Sequence, residues 1–168
     1  MARLTIFTYP AEVLRTKSRM VSAVDNEIGR LIDDMAETMY AAPGVGLAAN
    51  QVGVLKRVVV IDVSYVDGEP NLIALVNPEI VECVGEAVNE EGCLSFPSIK
   101  EDIKRAACVA VRALDRDGRP VEIRADGLLA TALQHEIDHL DGVSLIDKVS
   151  FLKRRMIHRQ LSKDKSAG

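Results

Sequence analysis

The chain has 168 residues, 48% of them hydrophobic, and a formal net charge of −4. This length suits one globular domain with a sizeable core, and three cysteines, an odd number, argue against a disulfide framework. No apolar run approaches the roughly 18 residues of a membrane-spanning helix, and residues 1–10 lack the pattern of a secretory signal. We therefore expect a cytoplasmic protein with a single domain over residues 1–168.

The first predicted elements are helical. A short helix is expected after Pro10, and apolar spacing predicts a long amphipathic helix over about residues 26–41. The following loop, residues 44–51, has the Gly-x-Gly-x-x-Ala form of a dinucleotide-binding loop. Its context excludes that function, since such a loop must follow a strand and open a helix. We expect it instead to bring backbone and the Gln51 amide close to a ligand.

Strands dominate the middle of the chain, where β-branched residues alternate with polar ones. The predicted strands span residues 58–62, 71–76, 79–88, 107–114 and 121–124. The pairs Asp67-Gly68 and Asp117-Gly118 are typical of the tight turns that join antiparallel strands.

The pentad His-Glu-Ile-Asp-His, residues 135–139, is the most specific chemical signal in the chain. It lies in a helix-compatible run that Asp126 can begin as N-cap and Gly142 can end. Positions four apart share a face of a helix, so His135 and His139 can reach one metal ion with Glu136 beside the open coordination position. The pattern is typical of metal-dependent hydrolases. The grouping of the predicted strands before this helix indicates an α+β fold, with antiparallel sheets around a central metal-binding helix and a C-terminal helix.

Such a site needs a third protein ligand. The extension found in one large protease class fails, because Leu145 stands where the third histidine would be. No glutamate follows Glu136, which excludes a second class. Downstream, Asp147 and His158 lie in settings that favour solvation, so the third ligand is expected upstream.

Three cysteines lie upstream. Cys83 and Cys108 fall in alternating apolar stretches and are expected in the core, where buried cysteine acts as a small hydrophobe. Cys93 instead follows two glutamates and Gly92 and precedes Pro97, so it is expected on a turn. A thiolate there could approach the helix and bind a divalent metal.

Three motifs together resemble the peptide deformylase family. Its marks are Gly-x-Gly-x-Ala-Ala-x-Gln, Glu-Gly-Cys-Leu-Ser and His-Glu-x-Asp-His in this order, present here at residues 44–51, 91–95 and 135–139. The resemblance covers nearly the whole chain. It implies an enzyme that removes the N-formyl group from the N-terminal formylmethionine of new polypeptides and releases formate. The alternatives are another metallopeptidase with the same pentad and a non-catalytic metal-binding protein.

The resemblance also implies roles for single residues. Cys93, His135 and His139 would hold the metal, which the family resemblance gives as Fe²⁺, with zinc, nickel or cobalt as substitutes. Ligand type alone would suggest zinc. The implied catalytic residues are Glu136 as general acid/base, Gln51 and the Leu94 N–H as oxyanion donors, and Gly46.

An apolar pocket for the methionine side chain is predicted beside the metal. The expected substrate-binding residues are Val45, Gly46, Glu91, Leu128, Thr131 and Ala132. Asn89 departs from the apolar residue that the family often has near Glu91.

Residues 148–168 form a basic tail with seven Lys and Arg against a single Asp. A final helix is predicted near residues 149–161, anchored by an apolar stripe of Val149, Leu152 and Met156. Its cations would then face outwards: Lys153, Arg154, Arg155, Arg159 and Lys163. Two interpretations stay open, a transient contact with the ribosome or a solvated helix face.

Overall fold

The structure is a computed structural model that describes residues 2–64 and 68–167, the last four as backbone only. Within these residues the main sheet is antiparallel, with strand order β1-β2-β3-β6-β7. Its strands are β1 (Gly46–Ala48), β2 (Val58–Ile61), β3 (Ile73–Val84), β6 (Cys108–Leu114) and β7 (Pro120–Asp126). A second antiparallel sheet consists of β4 (Ala87–Cys93) and β5 (Phe96–Arg105). The predicted α+β class is confirmed.

Two helices cover opposite faces of the main sheet. They are α1 (Asn26–Ala41), whose N-cap Asp25 accepts a hydrogen bond from Ile28 N, and α2 (Gly127–Leu140). Strand β2 shows why its run of apolar residues is continuous: Val58 and Val60 pack in the cluster with α1, whereas Val59 and Ile61 pack in the cluster with α2. A strand covered on both faces loses the polar alternation of a half-exposed one. The metal-binding helix predicted from the sequence is therefore central.

Strand β3 runs through a segment that the sequence analysis divides into two strands, residues 71–76 and 79–88. Between these two segments the backbone of Asn77 adopts the left-handed conformation, with φ of 53°. The pairing of β3 with β6 shifts register at this point, between Val76 and Glu79. The Asn77 side chain also donates to and accepts from the backbone of Val21. The bulge keeps one strand continuous, so the predicted division of residues 73–84 into two strands was wrong.

The β4–β5 hairpin was missed by the sequence analysis, which expected Cys93 on an irregular turn. Cys93 instead ends β4 and pairs with Phe96. Nine of the seventeen residues in the two strands are exposed, and polar side chains interrupt the apolar ones, so the apolar alternation that indicates a strand is weak here. Its buried side is the row Phe96, Ile99 and Ile103, which packs against Leu145, Ile146 and Ile157 near the C-terminus.

Cys83 and Cys108 are exposed, so their predicted place in the core was wrong. Both lie at the distal ends of paired strands β3 and β6, where Val84 is also exposed. The hairpin at Asp117-Gly118 is confirmed between β6 and β7, with Gly118 at φ of 79°. Asp67 of the other predicted turn lies outside the described residues.

The last helix, α3, spans Phe151–Ala167. Of the predicted apolar anchor, Val149 packs against the core cluster as expected, but Leu152 and Met156 were wrong, since they are 69% and 55% exposed. The helix is held instead by Ile157, which is 3% exposed, and by Leu161 in the same cluster. Among the described residues, no helix combines the length and apolar character needed to cross a membrane.

Candidate metal centre

Helix α2 brings two imidazoles to one point. The Nε2 atoms of His135 and His139 lie 3.1 Å apart, as expected for positions on adjacent turns of one helix face. Both rings are buried, His139 completely. The opposite face of α2 packs on the main sheet through Leu133 and Leu140, so the direction of the two rings is fixed by the core.

Cys93 approaches from the end of β4. Its Sγ lies 3.3 Å from His139 Nε2, and one donor atom each from Cys93, His135 and His139 all fall within 4.8 Å of one another. A thiolate with two imidazoles is a donor set for a divalent transition metal. The structure thus brings together the three predicted ligands in an arrangement that fits a metal ion.

A buried ion network orients His135. Its Nδ1 lies 3.0 Å from Glu91 Oε1, and Arg105 holds the same carboxylate with bonds of 2.6 and 3.0 Å. Arg105 also donates to Asp138 at 2.8 Å. Burial would raise the pKa of Glu91, but hydrogen bonds from His135 and Arg105 hold it below its usual value. The charged carboxylate accepts from Nδ1–H, which leaves the Nε2 lone pair of His135 for a metal.

This network gives Glu91 a structural role. Its side chain is only 5% exposed, and both oxygens are engaged by His135 and Arg105. Glu91 therefore supports the metal ligand His135, and its expected contact with substrate stays a prediction. Arg105 carries no local signal in the sequence, because nothing in its own segment marks it as the partner of a buried carboxylate.

The two imidazoles have opposite pKa shifts. Burial, together with the positive charges of His135 and Arg105, lowers the pKa of His139 well below its usual value. Burial would also lower the pKa of His135, but the negative charges of Cys93 and Glu136 raise it well above that value. A metal ion entering this centre therefore competes with a proton, as at other thiolate and imidazole sites.

Glu136 stands next to the ligands without a hydrogen bond to Oε1 among the described residues. Burial raises the pKa of its carboxyl to about 7. Gly46 leaves the space for this side chain, since a Cβ on Gly46 would lie 2.5 Å from Glu136 Oε2. A carboxylate poised near neutral pH beside a metal centre can accept and return a proton.

The Gln51 amide points at the thiolate side of the centre. A short 3₁₀ helix, Ala49–Val52, carries it. Gln51 Oε1 accepts from Ala48 N at 2.9 Å, while Nε2 donates to Ser95 Oγ at 3.0 Å and lies 3.7 Å from Cys93 Sγ. Leu94 lies in the turn directly after Cys93, beside Gly44. Sequence reasoning found Gln51 but missed Ser95 as the group that orients its amide.

The predicted pocket residues fall in different settings. Val45 is half-buried, Thr131 is buried, and Leu128 is 56% exposed at the start of α2. Ala132 packs in the core cluster of the main sheet. Burial alone does not test contact with substrate, so the role of these residues in the pocket stays a prediction.

The centre combines a thiolate and imidazole ligand set, the Glu136 carboxylate of raised pKa and the fixed Gln51 amide. A hydrolase that uses a metal ion needs these three parts. The α+β fold builds them from separate elements around α2. The chain is an enzyme of this class.

Comparison with known proteins gives the family. Residues 3–155 match the family model of polypeptide deformylase, and the chain belongs to this family. A peptide deformylase of Thermodesulfovibrio yellowstonii is 52% identical, over 98% of this chain and all of that protein. One from Alkalilimnicola ehrlichii is 52% identical, over 97% of this chain and 91% of that protein.

Solved structures agree. A peptide deformylase from Legionella pneumophila superimposes with a TM-score of 0.92 at 48% identity, covering 99% of this chain and 97% of that one. A second, from Ehrlichia chaffeensis in complex with actinonin, gives a TM-score of 0.92 at 40% identity, covering 98% of each chain.

Proposed function

We propose that this protein hydrolyses the N-formyl group of N-terminal formylmethionine on new polypeptides and releases formate. The observation that carries the proposal is the convergence of three distant motifs, through Gln51, Cys93 and the helix pair His135 and His139, on one buried centre. Membership of the polypeptide deformylase family supports it.

Cys93, His135 and His139 would hold one divalent cation, which supplies the Lewis acidity that activates water and polarises a carbonyl. We propose ferrous iron as the ion in the cell, with zinc, nickel or cobalt as substitutes. The mixed thiolate and imidazole donor set supports a soft or borderline transition metal.

Glu136 moves the protons in this proposal. Its carboxylate accepts a proton from the water that adds to the formyl carbon, and then gives it to the α-amine as the carbon–nitrogen bond breaks. The products are formate and a free methionine amine. The raised pKa of Glu136, about 7, supports both halves of this transfer because the group can hold or release a proton near neutral pH.

Gln51 and the backbone N–H of Leu94 would donate to the oxyanion that develops on the formyl oxygen. The Gln51 amide is fixed by Ala48 and Ser95, so little reorganisation is needed as charge develops. Gly46 contributes by leaving room for Glu136.

Val45, Leu128, Thr131 and Ala132 would line the methionine pocket. The exposed Leu128 side chain offers apolar surface at the start of α2. Asn89 shares a strand face with Glu91, because side chains two apart in a strand point to the same side, so it would set the rim of the pocket.

We also propose that the protein acts in the cytoplasm as one catalytic domain, residues 1–168, and contacts the ribosome transiently through its tail. Lys153 pairs with Glu101 and Arg154 with Asp147, which leaves Arg155 and Arg159 as the better candidates for phosphate. The exposed Phe151, Leu152 and Met156 add apolar surface.

One assay tests the central proposal: formate release from a formyl-Met peptide by protein purified and kept anaerobic, with metal content measured in parallel. The expected result is stoichiometric formate and free amine, with no cleavage of internal peptide bonds. Cleavage of internal bonds without formate would instead identify a metallopeptidase.

A further inference from the structure

The 3₁₀ helix Ala49–Val52 carries a second buried amide next to Gln51. Asn50 is fully buried, and its Nδ2 donates to the backbone carbonyl of His139 at 2.5 Å. In a 3₁₀ helix neighbouring side chains point about 120° apart, with three residues per turn. Asn50 thus reaches α2 while Gln51 reaches Cys93 and Ser95.

Helix α2 does not depend on Asn50 for its position. The His139 carbonyl also accepts from Gly142 N at 3.0 Å, and the next carbonyl, that of Leu140, accepts from Ser18 N and Arg57. Its inner face is fixed in the core. The Asn50 bond therefore restrains the short 3₁₀ helix against a rigid α2, and not the reverse.

Stability alone does not explain an amide at this position. The Oδ1 atom of Asn50 is buried and has no hydrogen-bond partner among the described residues. An unsatisfied buried acceptor destabilises a fold, and an apolar side chain of the same size would avoid it. What an amide adds at this position is the hydrogen bond from Nδ2 to the backbone of His139, one of the three proposed metal ligands.

We propose that Asn50 is a positioning residue that sets the distance between the Gln51 amide and the metal ligands. It acts through Gln51, by tying the 3₁₀ helix to α2 at His139. The inference rests on the proposed role of Gln51 as an oxyanion donor.

The test is Asn50→Leu, alone and combined with Gln51→Leu. We expect kcat for formate release to fall about tenfold or more with KM within about twofold, because a small displacement of a donor weakens transition-state binding. In the Gln51→Leu background the same substitution should lower kcat by less than about twofold, since the donor it positions is already gone.

Two measurements separate positioning from damage to the fold or to the metal centre. The visible absorption spectrum of the cobalt-substituted protein should be the same for wild type and Asn50→Leu, because His139 stays in place with α2. Thermal unfolding should show Asn50→Leu as stable as wild type or more so. If that variant does not fold, Asn50→Ser, one atom shorter and unable to reach His139, serves in the same cycle.

Arg57→Met is the matched control. It removes a side-chain donor from the neighbouring Leu140 carbonyl but leaves the 3₁₀ helix untouched, so it should lower the unfolding temperature while kcat stays within about twofold. Full kcat in Asn50→Leu, or an equal loss in the wild-type and Gln51→Leu backgrounds, overturns the inference. Wild-type protein that releases no formate overturns the proposed function itself.

Discussion

Replacing Gly46 by alanine should disable Glu136 without touching the metal ligands. The new Cβ would lie 2.5 Å from Glu136 Oε2, 2.9 Å from Cδ and 3.0 Å from Cγ. These are shorter than van der Waals contacts by roughly 0.5–1 Å, and Glu136 is only 5% exposed, so the carboxylate cannot swing into solvent. Either the carboxylate moves or β1 does.

A displacement of this size should lower kcat by about 10- to 100-fold, because misplacing a catalytic group by about 1 Å costs that much. Overpacking should destabilise the protein by about 1–3 kcal/mol. Metal content should stay the same. The measurements are formate release for kcat and KM, metal analysis, and urea unfolding.

Gly29→Ala is the matched control, since a Cβ at Gly29 in α1 meets nothing within 4 Å. It should leave kcat unchanged and stabilise the protein by up to about 1 kcal/mol. Aspartate is one methylene shorter than glutamate, so Glu136→Asp relieves the clash that Gly46→Ala creates. The fold-decrease of kcat in the double variant should therefore be smaller than the product of the fold-decreases in the two single variants. Wild-type kcat in Gly46→Ala would refute the reasoning that Glu136 must stand where it does.

Further expectations concern the base, the ion network, the buried acid and the tail. Glu136→Gln should keep the metal and lose nearly all turnover, because an amide cannot accept the proton; comparable turnover would remove Glu136 from the mechanism. Arg105→Met should leave two carboxylates without their buried cation, destabilise the protein by about 3–5 kcal/mol and weaken metal binding about 10- to 100-fold; a stable variant with wild-type metal affinity would contradict this. Burial would raise the pKa of Asp62, but hydrogen bonds from its neighbours lower it. Asp62 therefore contributes stability above its ordinary pKa of about 4 that is lost as pH falls through the lower folded value. Urea unfolding should show a smaller loss on acidification for Asp62→Asn than for wild type, and parallel curves would argue against it. Arg155→Glu with Arg159→Glu should abolish co-sedimentation with ribosomes at low salt and leave peptide hydrolysis unchanged; retained sedimentation would make the tail a solvated face.

The metal-binding helix α2 could be predicted because the sequence signals for it lie close together in the chain. The four-residue spacing of His135 and His139 fixes a shared face, and the left-handed Gly142, with φ of 75°, ends the helix where expected. Cys93 was found by elimination and resemblance, since its pairing with Phe96 joins two polar strands that periodicity does not reveal. The motifs thus identified the ligands without showing the hairpin that presents one of them.

Non-local contacts account for what was missed. Arg105 is marked by nothing in its own segment, yet it holds Glu91 and Asp138 across the fold. The C-terminal helix is a second example. Apolar spacing predicted Leu152 and Met156 as its buried side chains, whereas the side chain that packs against the β5 cluster is Ile157. Which face of a short helix is buried depends on the partner, and the partner lies far away in sequence.

The placement of the ligands also decides when the enzyme can acquire its metal. His135 and His139 are four residues apart, but Cys93 precedes His135 by more than forty residues and reaches the centre only after β4 and β5 have paired. An unfolded chain offers the ion two imidazoles and no thiolate in the same place, so strong chelation must wait for long-range folding. Loading should consequently be the last event of maturation, and a scavenging chelator should slow the appearance of active enzyme during refolding without slowing the burial of the core.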